Sequence, residues 1–190
     1  MVGPDFSWPN FSTRVAQAQG DALPSPNPYV DSLRAVAVCM SGIFAGDEVL
    51  EVWSCTHIQD MVYNKAMESA DPDPETGYHG LGWTDEQADH LVEELIQGIL
   101  TRSNGDSLVS KYPEATPPLD HEDGLVMGAC ATLASEDPFC EVYCVTNDTG
   151  FLKAYKDGKL PSPTMVMSPA RFVGLVRAAR MTLAIADIRA

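Results

Sequence analysis

Asp120-His121-Glu122-Asp123-Gly124-Leu125-Val126-Met127-Gly128-Ala129-Cys130-Ala131, followed by Glu141-Val142-Tyr143-Cys144-Val145-Thr146-Asn147-Asp148-Thr149-Gly150, is the stretch that decides the fold. The second segment is short, β-branched and aromatic, and it ends in turn-forming residues, so it predicts a strand over 141–146 with Asp148 at its carboxyl end. The first is too long for most single strands and is rich in small residues, which predicts a buried helix with its acids in the first turn. In an open α/β sheet the carboxyl edge is where ligands bind, because loops and helix N-termini converge there. Carboxylates at two successive element boundaries therefore point to a hard-cation site. Each also has an ordinary structural reading. Asp120, Glu122 and Asp123 complement a helix dipole, and Asp148 suits a turn or an N-cap.

Working outward, the same alternation continues. Asn27-Pro28 is a cap and first-turn pair for a helix running to about Gly46, with Val30, Leu33, Ala37 and Met40 at helical spacing. A strand over 49–54 and a helix over 56–67 come next. Residues 70–82 have no periodicity and predict a loop. Thr84-x-x-Gln87 is a capping box ahead of Ala88, Leu91, Val92, Leu95, Ile96, Ile99 and Leu100, which mark the apolar face of a helix to about residue 102. Residues 103–119 form a polar, Pro-containing connection. After the central stretch come a short helix near 151–155, a strand over 164–167, and a last helix capped by Ser168 with Pro169 at its first position. In that helix Phe172, Val173, Leu175 and Val176 are expected to face the core. Strands separated by helices imply a parallel sheet covered on both faces, so the expected fold is a three-layer α/β/α sandwich with a central, mostly parallel sheet.

The ordered set of motifs resembles PIN-domain nucleases. The residues that carry the resemblance are Asp120 and Asp123 before a small-residue helix, Thr146 and Asp148 at a strand end, and Ser168-Pro169 opening the last helix. Val49 to Ser54 with Cys55 to Met61 is similar to the family's second strand and following helix, placing its second acid at Asp60. The resemblance spans roughly residues 28–180. Residues 1–26 are an atypical N-terminal segment: Asp5-Phe6-Ser7 has the letters of the family's first acidic motif, but Gly3-Pro4 leaves almost no strand ahead of it. The resemblance implies a Mg²⁺- or Mn²⁺-dependent endoribonuclease acting on single-stranded RNA, of the VapC-like toxin kind, with an antitoxin protein as partner and a homodimer as assembly. Asp123 and Asp148 would bind metal, Asp60 would bind the metal or its water, Asp5 would complete the set, and Thr146 would orient it. Asp120 and Glu122 would lie further out. Taken alone, an aspartate within a helix, as Asp60 is, usually belongs to a solvated face.

Composition bounds these expectations. With 190 residues and 45% of them hydrophobic, the chain is long enough for one good core, and a single domain over 1–190 is expected. The longest apolar run, Ala35 to Met40, is far short of the ~18 residues needed to span a bilayer, which predicts a cytoplasmic protein without membrane association. Five cysteines, an odd number set mostly in apolar segments, read as reduced packing residues, and Cys140-x-x-x-Cys144 lacks a second pair for zinc. His57, His79, His90 and His121 show no paired ligand spacing. The net charge of −15 is opposite to that of most nucleic-acid binders. Asp71 to Glu94 carries an acidic block, whereas Lys153, Lys156, Lys159, Arg171, Arg177 and Arg180 gather in the last third. The competing expectation is therefore a non-catalytic acidic α/β interaction protein that binds a basic protein partner.

Overall fold

The first described helix, α1 (Pro28–Met40), buries Ala35, Ala37 and Val38. It stops six residues before the sequence suggests. Ser41 and Gly42 donate their amides back to the carbonyls of Val38 and Cys39, and Gly42 turns the chain at a φ of +63°, where a side chain would be strained. What looks like the helix end is strand β1 (Ile43–Ala45), paired antiparallel with β2 (Glu48–Val49) around Gly46. In this computed structural model the described residues are 28–109, 121–137, 139–160 and 164–189.

The expected strand over 49–54 is divided for a related reason. Its beginning is committed to the hairpin, the Val52 amide donates to the Ser103 hydroxyl at 3.0 Å, and only β3 (Ser54–Cys55) joins a ladder, parallel to β4 (Ser107–Leu108). That ladder lies inside the stretch expected to be a plain connection. Helix α2 (Thr56–Met67) continues directly from β3, and residues 70–82 hold neither helix nor strand, as the sequence suggests.

The capping box forms as expected: the Thr84 hydroxyl accepts from the Gln87 amide, and the Gln87 side chain accepts from the Thr84 amide. It opens α3 (Asp85–His90), which passes through a π-helical turn (Leu91–Ile96) into α4 (Gln97–Arg102). A π turn takes up one extra residue and rotates the helix beyond it; the unusually wide apolar stripe from Ala88 to Leu100 still keeps Ala88 and Leu100 buried.

The central stretch forms α5 (His121–Glu136), β5 (Tyr143–Val145) and α6 (Thr149–Lys156). Strand β6 (Met165–Met167) pairs parallel with β5, with Cys144 opposite Val166, and α7 (Pro169–Arg189) completes the described chain. The pleat of β5–β6 sends alternate residues to two cores. Met167 joins Ala35, Val38, Phe172, Val173 and Val176 beneath α1 and α7, while Cys144 and Val166 join Met127, Cys130 and Phe151 beneath α5 and α6. This strand pair is therefore covered by helices on both faces. Leu175, expected in the core, is 37% exposed because the buried stripe of α7 is centred on Val176 and leaves it outside. The protein is mixed α/β, and among the described residues its strands form three two-stranded sheets, two of them parallel. No helix among them is long and apolar enough to cross a membrane.

Candidate functional site

Asp148 stands where the sequence puts it, just beyond the carboxyl end of β5. The ladder runs one step past the strand through Thr146, whose amide donates to the Met167 carbonyl at 3.0 Å. The Thr146 hydroxyl then accepts the Asp148 amide at 3.0 Å, closing a tight turn. Asp148 is the N-cap of α6, its Oδ1 accepting the Phe151 amide at 2.6 Å. Its other oxygen, Oδ2, has no hydrogen bond among the described residues, and the side chain is exposed. Asn147 between them donates to the Ser32 hydroxyl at 2.9 Å and so ties the turn to α1, a link that nothing in the local sequence signals.

Asp123 lies in the first turn of α5 and is half-buried, whereas Glu122 is exposed. Its charge reaches β5: the Asp123 carboxylate is among the groups that disfavour a thiolate at Cys144. Helix α5 packs against both β3 and β5 and thus bridges the two parallel pairs. Asp60 sits in the second turn of α2, exposed, its carboxylate without a hydrogen bond or ion pair among the described residues. Asp60 and Asp148 thus belong to helices that leave the carboxyl ends of β3 and β5, and Asp123 belongs to the helix that packs against both strands. Among the described residues, however, no group of three or more His, Cys, Asp or Glu side chains could hold a metal ion. Asp60, Asp123 and Asp148 alone do not make a three-ligand cage. Asp5 and Asp120 lie outside the described residues.

Two features were not anticipated. Cys130 of α5 and Cys144 of β5 are buried together in the core under α5 and α6. The neighbouring Cys130 thiol, with burial adding to it, pushes Cys144 far above the ordinary thiol range, whereas Cys144 holds Cys130 below that range against the opposing effect of burial. All five cysteines are free, as expected; Cys140 alone is exposed. His57, at the start of α2, has a buried Nε2 without a hydrogen-bond partner among the described residues. Comparison of the chain with protein-family models, curated proteins and solved structures found no match.

Proposed function

We propose that this protein is a metal-dependent endoribonuclease of the PIN kind, built as a three-layer α/β/α domain and acting on single-stranded RNA. The observation that carries the reading is the placement of Asp148. It stands at the carboxyl end of a parallel strand, one oxygen fixed by the helix cap and the other open to a ligand. Asp123 on the helix that packs on that strand supports it.

The donor set is of the right chemistry, since hard carboxylate oxygens suit Mg²⁺ or Mn²⁺ with several waters retained. Asp148 and Asp123 would hold the ion, with Asp60 on a metal-bound water and Asp5 completing the set. When bound, the ion supplies positive charge that polarises a phosphodiester and acidifies a water. The chain's own contribution is positional. Thr146 fixes the Asp148 turn, and the turn's tie through Asn147 to Ser32 keeps it registered against α1. Under this reading the remaining partners are an antitoxin protein and a second copy of the chain.

Labelled single-stranded RNA incubated with Mn²⁺ tests the proposal. The native protein should cut it, and Asp123→Asn and Asp148→Asn should each leave it intact. Asparagine caps a helix about as well as aspartate, so the second variant keeps α6 in place. Mn²⁺ at a hundredfold excess over its dissociation constant should also stabilise the native fold by ~2.7 kcal/mol, a gain lost in Asp148→Asn. Equal cleavage by all three proteins would remove the mechanism.

A second reading has its own observation. Asp85, Glu86, Asp89, Glu93 and Glu94 are all exposed on α3 and the π turn, a concentrated negative face suited to a basic protein partner. In that case a basic peptide should bind in a salt-sensitive way, and neutralising those five acids should weaken it while Asp148→Asn does not.

A further inference from the structure

Three of the chain's seven arginines line one cavity. Arg34 and Val38, four apart on α1, face Val173, Val176, Arg177 and Arg180 on α7, and the half-open space between them is ≈ 250 Å³. The helical spacings explain the convergence: positions four apart on one helix, and positions three, four and seven apart on the other, each make a single stripe. The two stripes meet where α1 and α7 pack. Val38, Val173 and Val176 are buried and form an apolar wall, while Arg34 is only 4% exposed. Arg180, at the other extreme, is exposed and marks the side open to solvent.

The charge at this place runs against the rest of the molecule. In a chain with a net charge of −15, none of the six lining residues is acidic. Asp31 answers Arg34 through a 2.8 Å ion pair that is itself buried. Arg180 is held as a rigid donor: its Nε donates to the Phe44 carbonyl at 2.9 Å, and its Nη2 donates to the Ser41 hydroxyl and the Ile43 carbonyl. Its Nη1 has no hydrogen bond among the described residues. A guanidinium fixed in this way loses little freedom when it binds an oxyanion, and its fork matches carboxylate and phosphate oxygens.

The geometry points to a binding site for a small organic oxyanion, a phosphate monoester or carboxylate whose charged head meets Arg177 and Arg180 near the opening and whose apolar body rests on the valines. The space equals about eight water volumes, room for a head group and one ring and too little for a nucleotide chain. Guanidinium donors without a lining carboxylate select for anions, and the valine wall selects among them. The site shares no residue with the Asp148 turn, so it stands apart from the nuclease reading.

Phenyl phosphate and benzoate are the probes, with inorganic phosphate and benzyl alcohol as controls, titrated calorimetrically into the full chain. Saturable binding of either aromatic anion, tighter than that of inorganic phosphate and absent with the neutral alcohol, is expected. Arg177→Gln should weaken it about tenfold, the loss of one charge-assisted contact. Val38→Phe, which narrows the space and keeps every charge, should weaken binding of the aromatic anions and leave that of inorganic phosphate unchanged, with circular dichroism confirming that each variant is folded. Failure of both anions to bind the folded native chain would overturn the site, as would unchanged affinity in Arg177→Gln. Inorganic phosphate binding as tightly as phenyl phosphate would overturn the apolar half of the proposal.

Discussion

Asp148 carries two duties on one side chain, and its two oxygens separate them. Oδ1 belongs to the fold, because it satisfies an amide at the start of α6 that would otherwise lack a partner. Substitution can therefore divide cap from ligand. Asp148→Ala should cost about 1 kcal/mol of stability in urea titration and Asp148→Asn close to none. If the two variants unfold at the same denaturant concentration, the cap is not contributing. A second carboxylate shows how local donors set a titration. The Asp73 oxygen accepts from the Thr76 amide, the Thr76 hydroxyl and the Glu75 amide, which hold its pKa below the usual 3.8. A depressed pKa means the contribution to the loop is complete above pH 3.8 and fades as pH falls through the folded value. An NMR titration should accordingly show the Asp73 carboxyl midpoint below that of an aspartate in a short unstructured peptide. At this scale the sequence was informative about place and not about company. The position of Asp148 is set by turn chemistry after a β-branched run, whereas Asn147 meeting Ser32, or Cys130 meeting Cys144, depends on residues far apart along the chain.

Elements whose ends carry their own chemistry were the legible ones. The Thr84–Gln87 box, the Ser168-Pro169 start of α7 and the turn after β5 each mark a boundary through local hydrogen bonds, and the structure keeps all three. The hairpin β1–β2 and the pair β3–β4 were not legible. Strands of two or three residues carry no period of their own, and for β3 a partner about fifty positions away decides whether the strand exists. The β3–β4 junction shows what that partner requires. A Cβ placed on Gly105 would lie 1.7 Å from the Val52 carbonyl oxygen, so the two segments approach closely only because that position lacks a side chain. The Ser103 hydroxyl and the Asp106 carbonyl, on either side, take the amides of Val52 and Ser54. Gly105→Ala should push the segments apart and destabilise the protein by about 1–3 kcal/mol, seen as a lower melting temperature. A melting temperature within experimental error of the native value would mean that the approach is not held.

At the scale of the whole molecule, the strand pair β5–β6 is the organising piece. One of its faces closes the core under α1 and α7 and the other the core under α5 and α6, so the arginine-lined cavity and the helix capped by Asp148 belong to opposite faces of the same two strands. Helices pack on both faces of this two-stranded pair. Its extension to one continuous sheet, which the PIN reading requires, depends on how β3 and β5 are joined, and among the described residues they are linked through α5 and not by a ladder. Arg180 adds a fastening of a different kind, gripping the loop and strand around Ser41 to Phe44 from a position 136 residues beyond Phe44. Hydrogen–deuterium exchange should therefore find the amides of 43–45 and those around 176–181 opening together as one cooperative unit. Replacing that single guanidinium with Gln would uncouple their exchange rates, leaving the hairpin to fray while the helix stays closed.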